Sequence, residues 1–278
     1  MTPEIYDDRV CALGEGPLWH PQRRQLFWFD ILGKRLLSRD GHQALSWQFE
    51  DHVSAAGWVE RDTLMIASER ALFTFNVKSE AQSSVIALES EKPETRSNDG
   101  RADPWGGFWI GTMGKAAEPG AGAIYRYYKG TLRKLFDQIT VSNAICFAPS
   151  RAFALFTDTL TQRVMRVALH PDTGWPDAEP MLAVDLRPHD RYPDGAVIDA
   201  GDQLWLAEWG SGRVSVYDPA GNWLKSLTVP ALHSTCPAFG GSDMFVTSAV
   251  QGQPGPDDGK TFVFRGVGRG QLEHRVEL

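Results

Sequence analysis

Six polar residues, Glu15, Ser54, Asn98, Asn143, Asp194 and Ser234, recur at one phase of a repeating pattern, each about 14 or 15 residues ahead of the residue that closes an apolar run. Four of them carry oxygen donors suited to a hard cation: the carboxylates Glu15 and Asp194 and the amides Asn98 and Asn143. Two carboxylates and two amides aimed at one narrow space repel one another and are poorly solvated unless a positive charge sits among them. A divalent cation answers that deficit. Oxygen-only donors without His or Cys favour Ca²⁺, Mg²⁺ or Mn²⁺, and a three-ligand site with water in its open positions also admits Zn²⁺. Such a cation in a water-filled mouth polarises a carbonyl and positions water, so hydrolysis is the chemistry expected. Asp194, held between Pro193 and Gly195, is the candidate catalytic base; the sequence leaves open whether it serves as ligand, base or both. No Gly-x-Ser-x-Gly elbow is present, which argues against a serine nucleophile, and the 7 histidines are scattered without metal-site spacing.

The elements that must position these residues are strands. The apolar runs close on Asp30, Ser68, Thr112, Asp158, Glu208 and Ser248, roughly 40 to 50 residues apart, the period of a four-stranded propeller blade. After each comes a second β-type run: Arg35–Arg39, Ala71–Phe75, Ala123–Tyr127, Val164–Val167, Val214–Tyr217 and Thr261–Phe264. Turn signals such as His20-Pro21, Ala148-Pro149-Ser150 and Asp218-Pro219-Ala220-Gly221 separate them, and no long stretch carries a helical period. The fold class expected is all-β, a six-bladed β-propeller with a metal in its central channel, as a single domain over residues 1–278. Inner strands surround the channel, so the six polar positions converge as one ring at one mouth. Taken singly, Asn98-Asp99-Gly100 and Pro193-Asp194-Gly195 are turn sequences; their shared phase argues for the ring.

Because strands alternate in direction, outer-to-inner crossings and second-to-third-strand loops share that mouth. The longer loops, Met113–Gly122, Arg187–Pro193 and Ala249–Lys260, belong to these classes, so only tight turns are expected on the opposite face. Ring closure has two solutions: Ile5–Val10 supplies the outer strand of the last blade, or Leu272–Leu278 does.

Bulk properties narrow the partners. A net charge of -7 without any basic run argues against nucleic acid and anionic membranes. The acidic start, Met1 to Asp8, lacks the pattern of a signal peptide, and no stretch has the length of a membrane span, so a cytoplasmic protein is expected. Three cysteines, Cys11, Cys146 and Cys236, lie far apart and read as buried reduced thiols. No feature points to a protein partner.

The ordered motifs Gly14-Glu15-Gly16-Pro17-Leu18-Trp19, Arg96-Ser97-Asn98-Asp99-Gly100 with Asp103-Pro104, Gly111-Thr112-Met113, Ser142-Asn143-Ala144, Thr157-Asp158-Thr159, and Tyr192-Pro193-Asp194-Gly195 with Gly240-Gly241 span essentially the whole chain. In these the sequence resembles the senescence-marker-protein, gluconolactonase and luciferin-regenerating enzyme family. The resemblance implies one divalent cation held by Glu15, Asn143 and Asp194. It also implies that Asn98 contacts substrate or a metal-bound water, that Arg96 binds substrate oxygens, and that Asp194 is general base in opening a sugar lactone. Two departures stand out. Gly114-Lys115 follows Met113 where some members have an acidic substrate contact, and Ala144 follows Asn143 where Gly is common.

The reading is therefore a metal-dependent lactonase opening an aldono-1,4- or 1,5-lactone to its aldonic acid, with Lys115 and Trp209 as candidates to flank the small-molecule substrate. One rival is an organophosphatase or arylesterase of related build, whose mouth should be more apolar than Arg96, Lys115 and His189 suggest. The other is a calcium-binding propeller without activity, since fold alone does not give function.

Overall fold

The computed structural model describes residues 2–252 and 254–278. Its strands form six antiparallel four-stranded sheets, the blades of a six-bladed β-propeller. The innermost strands are Gly14–His20, Val53–Glu60, Thr95–Ala102, Ser142–Phe147, Tyr192–Ile198 and His233–Gly240. Beyond the strands, the regular structure among the described residues consists of two single-turn 3-10 helices, Thr159–Thr161 and Arg187–His189. No helix among the described residues is long and apolar enough to cross a membrane.

The second strand of each blade is sandwiched between neighbouring blades, so it reads as a continuous apolar run rather than an alternating one. Leu26, Phe27, Trp28 and Phe29 in blade one are all fully buried. One hydrophobic cluster fills each interface between adjacent blades, so the core is a ring of six wedges around the channel. Outer strands such as Trp223–Thr228 face solvent and tolerate exposed side chains. Cys11, Cys146 and Cys236 are buried free thiols.

The N-terminus closes the ring. Glu4–Asp7 is the outer strand of blade six, paired antiparallel with Thr261–Phe264. Buried Asp7 locks the seam, accepting from Arg9 at 2.8 and 2.9 Å and from Arg39 of blade one at 2.9 Å. The second solution, Leu272–Leu278 as closing strand, is not the one adopted. That segment instead crosses the far mouth of the channel, touching the distal ends of inner strands. Gln271 donates to the carbonyls of Phe147 and Ile198, the Val276 amide donates to Trp58, and the Glu273 carboxylate pairs with Arg101. The expectation of tight turns alone on that face is corrected on a second count. The long connection from Leu169 to Pro180 lies there too, with the Pro171 carbonyl accepting from the Trp105 indole at 2.8 Å.

Candidate functional site

All six inner strands break register with their neighbour near the upper end, between Glu15 and Leu18, Val53 and Ala55, Ser97 and Gly100, Asn143 and Cys146, Pro193 and Ala196, and Ser234 and Pro237. A bulge inserts an unpaired residue and re-aims its side chain. Here all six polar ring positions lie at or inside a break, but Ser54 and Ser234 bond away from the cavity, to Ser97 and to the Arg213 carbonyl. Asn98-Asp99-Gly100 and Pro193-Asp194-Gly195 are therefore strand segments with a kink, not turns.

The kink has its own backbone demands. Gly16, next to Glu15, sits at φ 52°, and a Cβ there would meet the Ser54 carbonyl at 2.2 Å. Ala144, next to Asn143, occupies the same left-handed region at φ 55° although it carries a Cβ. The departure from glycine at that position is thus accommodated without loss of the conformation.

These strands bring Glu15, Arg96, Asn98, Asn143 and Asp194 to the floor of one cavity of about 700 Å³. Lys115 and Trp209 line the same cavity higher up, as do Tyr192, Thr159 and Leu160. A hydrogen-bonded chain runs across three blades. Arg96 Nη1 donates to Asn98 Oδ1 at 2.7 Å, and Asn98 Nδ2 donates to Asn143 Oδ1 at 3.1 Å and to the Ser142 carbonyl at 2.9 Å. Asn143 Nδ2 then donates to Thr159 Oγ1 at 2.9 Å, and Thr159 donates onward to the Pro193 carbonyl at 2.8 Å. Every polar atom of the Asn98 amide is thereby assigned, and the Asn143 amide is fixed in one orientation.

The electrostatics of the floor are strained. Burial, then the charge of Asp99, pushes Glu15 up to about 8, against the pull of the Gly16 amide and Arg96. Asp194 is raised well above the ordinary range, by burial first and then by Glu15 and Asp99. Asp99 itself, 6% exposed, is pushed up to about 6 by burial, opposed by the Ile145 amide and Arg101. Arg96 is the cation that eases both Glu15 and Asp194, and burial draws it down to about 10. Two buried carboxylates against one guanidinium form a donor set that a divalent cation fits: the charge deficit is local, the donors are oxygens, and the amide beside them is pre-oriented. No group of three or more His, Cys, Asp or Glu gathers as a metal cluster among the described residues, and the Asn143 amide is the oxygen donor that could join Glu15 and Asp194 around a cation.

Four residues sit differently from the sequence reading or were missed by it. Lys115 Nζ is engaged by Glu69 at 3.1 Å and by the Pro93 carbonyl at 2.8 Å. His189 lies outside the cavity, in a separate depression with Arg191, Tyr217 and Trp223. The mouth is consequently more apolar than Arg96, Lys115 and His189 suggested, with Leu13, Leu32, Met113, Val141, Leu160 and Val250 on its walls. Thr159 and Asp99 drew no role from sequence, although both stand in quoted motifs. The available signal was the Thr157-Asp158-Thr159 run directly after an apolar strand.

Residues 13–250 match the sequence pattern of the SMP-30/Gluconolactonase/LRE-like region. The chain belongs to that family. Among SMP-30/gluconolactonase/LRE-like proteins, one from Rhizobium meliloti (strain 1021), provisionally named a sugar lactone lactonase, is 40% identical over 98% of this chain and 96% of its own. The L-arabinolactonase of Azospirillum brasilense is 32% identical, covering 88% of this chain and 83% of its own. The crystal structure of the calcium-binding protein regucalcin from Agrobacterium tumefaciens matches with a TM-score of 0.96 at 36% identity, over 100% of this chain and 98% of that one. The six-bladed architecture thus matches that regucalcin structure over the whole of this chain.

Proposed function

We propose that the protein is a metal-dependent lactonase that opens a sugar lactone, an aldono-1,4- or 1,5-lactone, to the aldonic acid. The observation that carries this reading is the meeting of Glu15, Asn143 and Asp194, from blades one, four and five, on one cavity floor beside Asn98 and Arg96. The lactonase names of two relatives support the substrate class. Glu15, Asn143 and Asp194 would hold the cation, and the calcium-binding relative supports Ca²⁺ as one candidate beside Zn²⁺, Mn²⁺ and Mg²⁺. When bound, a divalent cation supplies Lewis-acid polarisation of the lactone carbonyl and lowers the pKa of water.

The remaining roles fall to side chains. Arg96 presents a planar guanidinium to ring oxygens of the substrate, steadied by its own bond to Asn98. Asn98 and Asn143, locked by the network, hold polar contacts without reorganising as charge develops. Asp194 accepts the proton of the attacking water at its carboxylate and returns it to the departing ring oxygen, so that the acyl–oxygen bond breaks to carboxylic acid and alcohol.

A second reading, hydrolysis of aryl esters, gains one observation, the apolar cavity wall. A panel of aldonolactones and one aryl ester, followed by proton release on metal-stripped protein with each cation restored in turn, separates the two. Spontaneous opening is subtracted. Lactone turnover that needs added cation and falls at least about 100-fold in Asp194→Asn is expected. Turnover indifferent to both cation and Asp194 refutes the mechanism, and ester turnover without lactone turnover replaces the substrate class.

A further inference from the structure

Above its buried polar floor the cavity carries a largely apolar collar, Leu13, Leu32, Met113, Val141, Leu160 and Val250, with Tyr192, Trp209 and Gln251 among them. Leu32 and Leu160 are 55% and 54% exposed. They stand on the second-to-third-strand loops of blades one and four, which face each other across a ring of six. An exposed leucine alone carries no message. Two at opposite lips of one cavity, over a polar floor, present apolar surface to whatever extends from that floor.

Lys115, the charged side chain that could greet hydroxyl groups at this height, is turned elsewhere, held by Glu69 and the Pro93 carbonyl. An arm rich in hydroxyls would leave water for leucine and methionine and lose hydrogen bonds on the way. A hydrocarbon arm gains at each carbon. The cavity, about 700 Å³, also holds far more than one five- or six-membered ring, in a range that suits larger ligands.

We infer that the preferred substrate is an amphiphilic lactone: a hydroxylated ring that meets the floor and carries an arm of several apolar carbons against the collar. This rests on the lactonase reading and names the class of lactone within it. Leu32 and Leu160 are then specificity-determining residues.

The test uses a pentono-1,4-lactone that the metal-loaded protein hydrolyses, together with its 5-O-methyl, 5-O-propyl and 5-O-pentyl ethers, which differ in the arm alone. The expected kcat/KM rises about two- to fourfold per added carbon through the propyl ether. The rise flattens in the Leu32→Ser/Leu160→Ser double variant. A flat or falling series in the unsubstituted protein overturns the inference and leaves the lactonase reading standing. A slope that persists in the double variant overturns the role given to the two leucines. Failure to hydrolyse any lactone with any cation overturns the lactonase reading itself. The series in the unsubstituted protein decides the substrate class whether or not the variant folds.

Discussion

Thr159 donates its hydroxyl hydrogen to the Pro193 carbonyl at 2.8 Å, which ties a loop of blade four to the residue just before Asp194. The same hydroxyl accepts from Asn143 at 2.9 Å, so one side chain sets the orientation of two candidate metal donors. Outer partners of ligating groups commonly govern metal affinity by 10- to 100-fold. Thr159→Val should therefore weaken cation binding by about that factor and lower lactone kcat/KM with it, while Thr159→Ser restores both. Cation titration followed by calorimetry checks the first and proton release the second. Unchanged affinity in the valine variant would show that Asn143 keeps its orientation without Thr159.

Gly16 and Ala144 share a left-handed backbone beside ring residues, yet only Gly16 is crowded, with the Ser54 carbonyl 2.2 Å from any added Cβ. Gly16→Ala must push two blades apart or release the kink that aims Glu15. A loss of about 3 kcal/mol or more, at the upper end for single substitutions, is expected in urea unfolding. Ala144→Gly relieves strain of about 1 kcal/mol but gives up a buried methyl and frees the unfolded chain, so its stability should stay within about 1 kcal/mol of the parent. Equal effects from the two substitutions would remove the distinction drawn here.

Glu273 reaches Arg101 from the chain's C-terminal segment, and Arg101 also donates to the carbonyls of Ile145 and Ala196. Breaking a buried pair strands the remaining charge. Glu273→Ala should cost about 3 kcal/mol or more. Glu273→Gln, which keeps an acceptor, should cost less. Chemical denaturation measures both; a neutral alanine variant would show that the two carbonyls suffice for Arg101.

At the seam, burial opposes ionisation of Asp7, but the bonds from Arg9 and Arg39 outweigh it and hold its carboxyl below the usual 3.8. The unfolded chain therefore takes up this proton before the folded protein does. The stabilisation is complete above the ordinary value and is lost as pH falls through the lowered one. In urea titrations, the advantage of the parent protein over Asp7→Asn should be full near neutral pH and shrink below about pH 4. An advantage that is constant or grows on acidification would contradict this.

The blade count was legible because each second strand is buried on both sides and must be a continuous apolar run, as in Leu26 to Phe29. The cavity floor was legible in part: of the six polar residues repeated in phase at the start of inner strands, Glu15, Asn98, Asn143 and Asp194 line the cavity, whereas Ser54 bonds to Ser97 and Ser234 to the Arg213 carbonyl. Glu15, Asn143 and Asp194 could thus be chosen from the repeat and the family resemblance together. What stayed hidden depends on contacts between distant segments. The register breaks that aim the ring side chains are marked by glycine in blades one, three and five, at Gly16, Gly100 and Gly195, but not in the other three, and nothing local to Lys115 says that Glu69 of blade two will hold it. The C-terminal segment has the composition of an edge strand, and only the open far mouth of the channel gives it another place to lie.

The strand Glu4–Asp7 precedes all the inner strands in the chain, yet its partner Thr261–Phe264 follows the last of them. Blades one to five can stack as they emerge, but the circle stays open until the third strand of blade six has been made. Such long-range pairing is inherently slow. Until then the unpaired edge of Glu4–Asp7 remains available to other chains, so this seam sets how long the nascent protein depends on protection from aggregation.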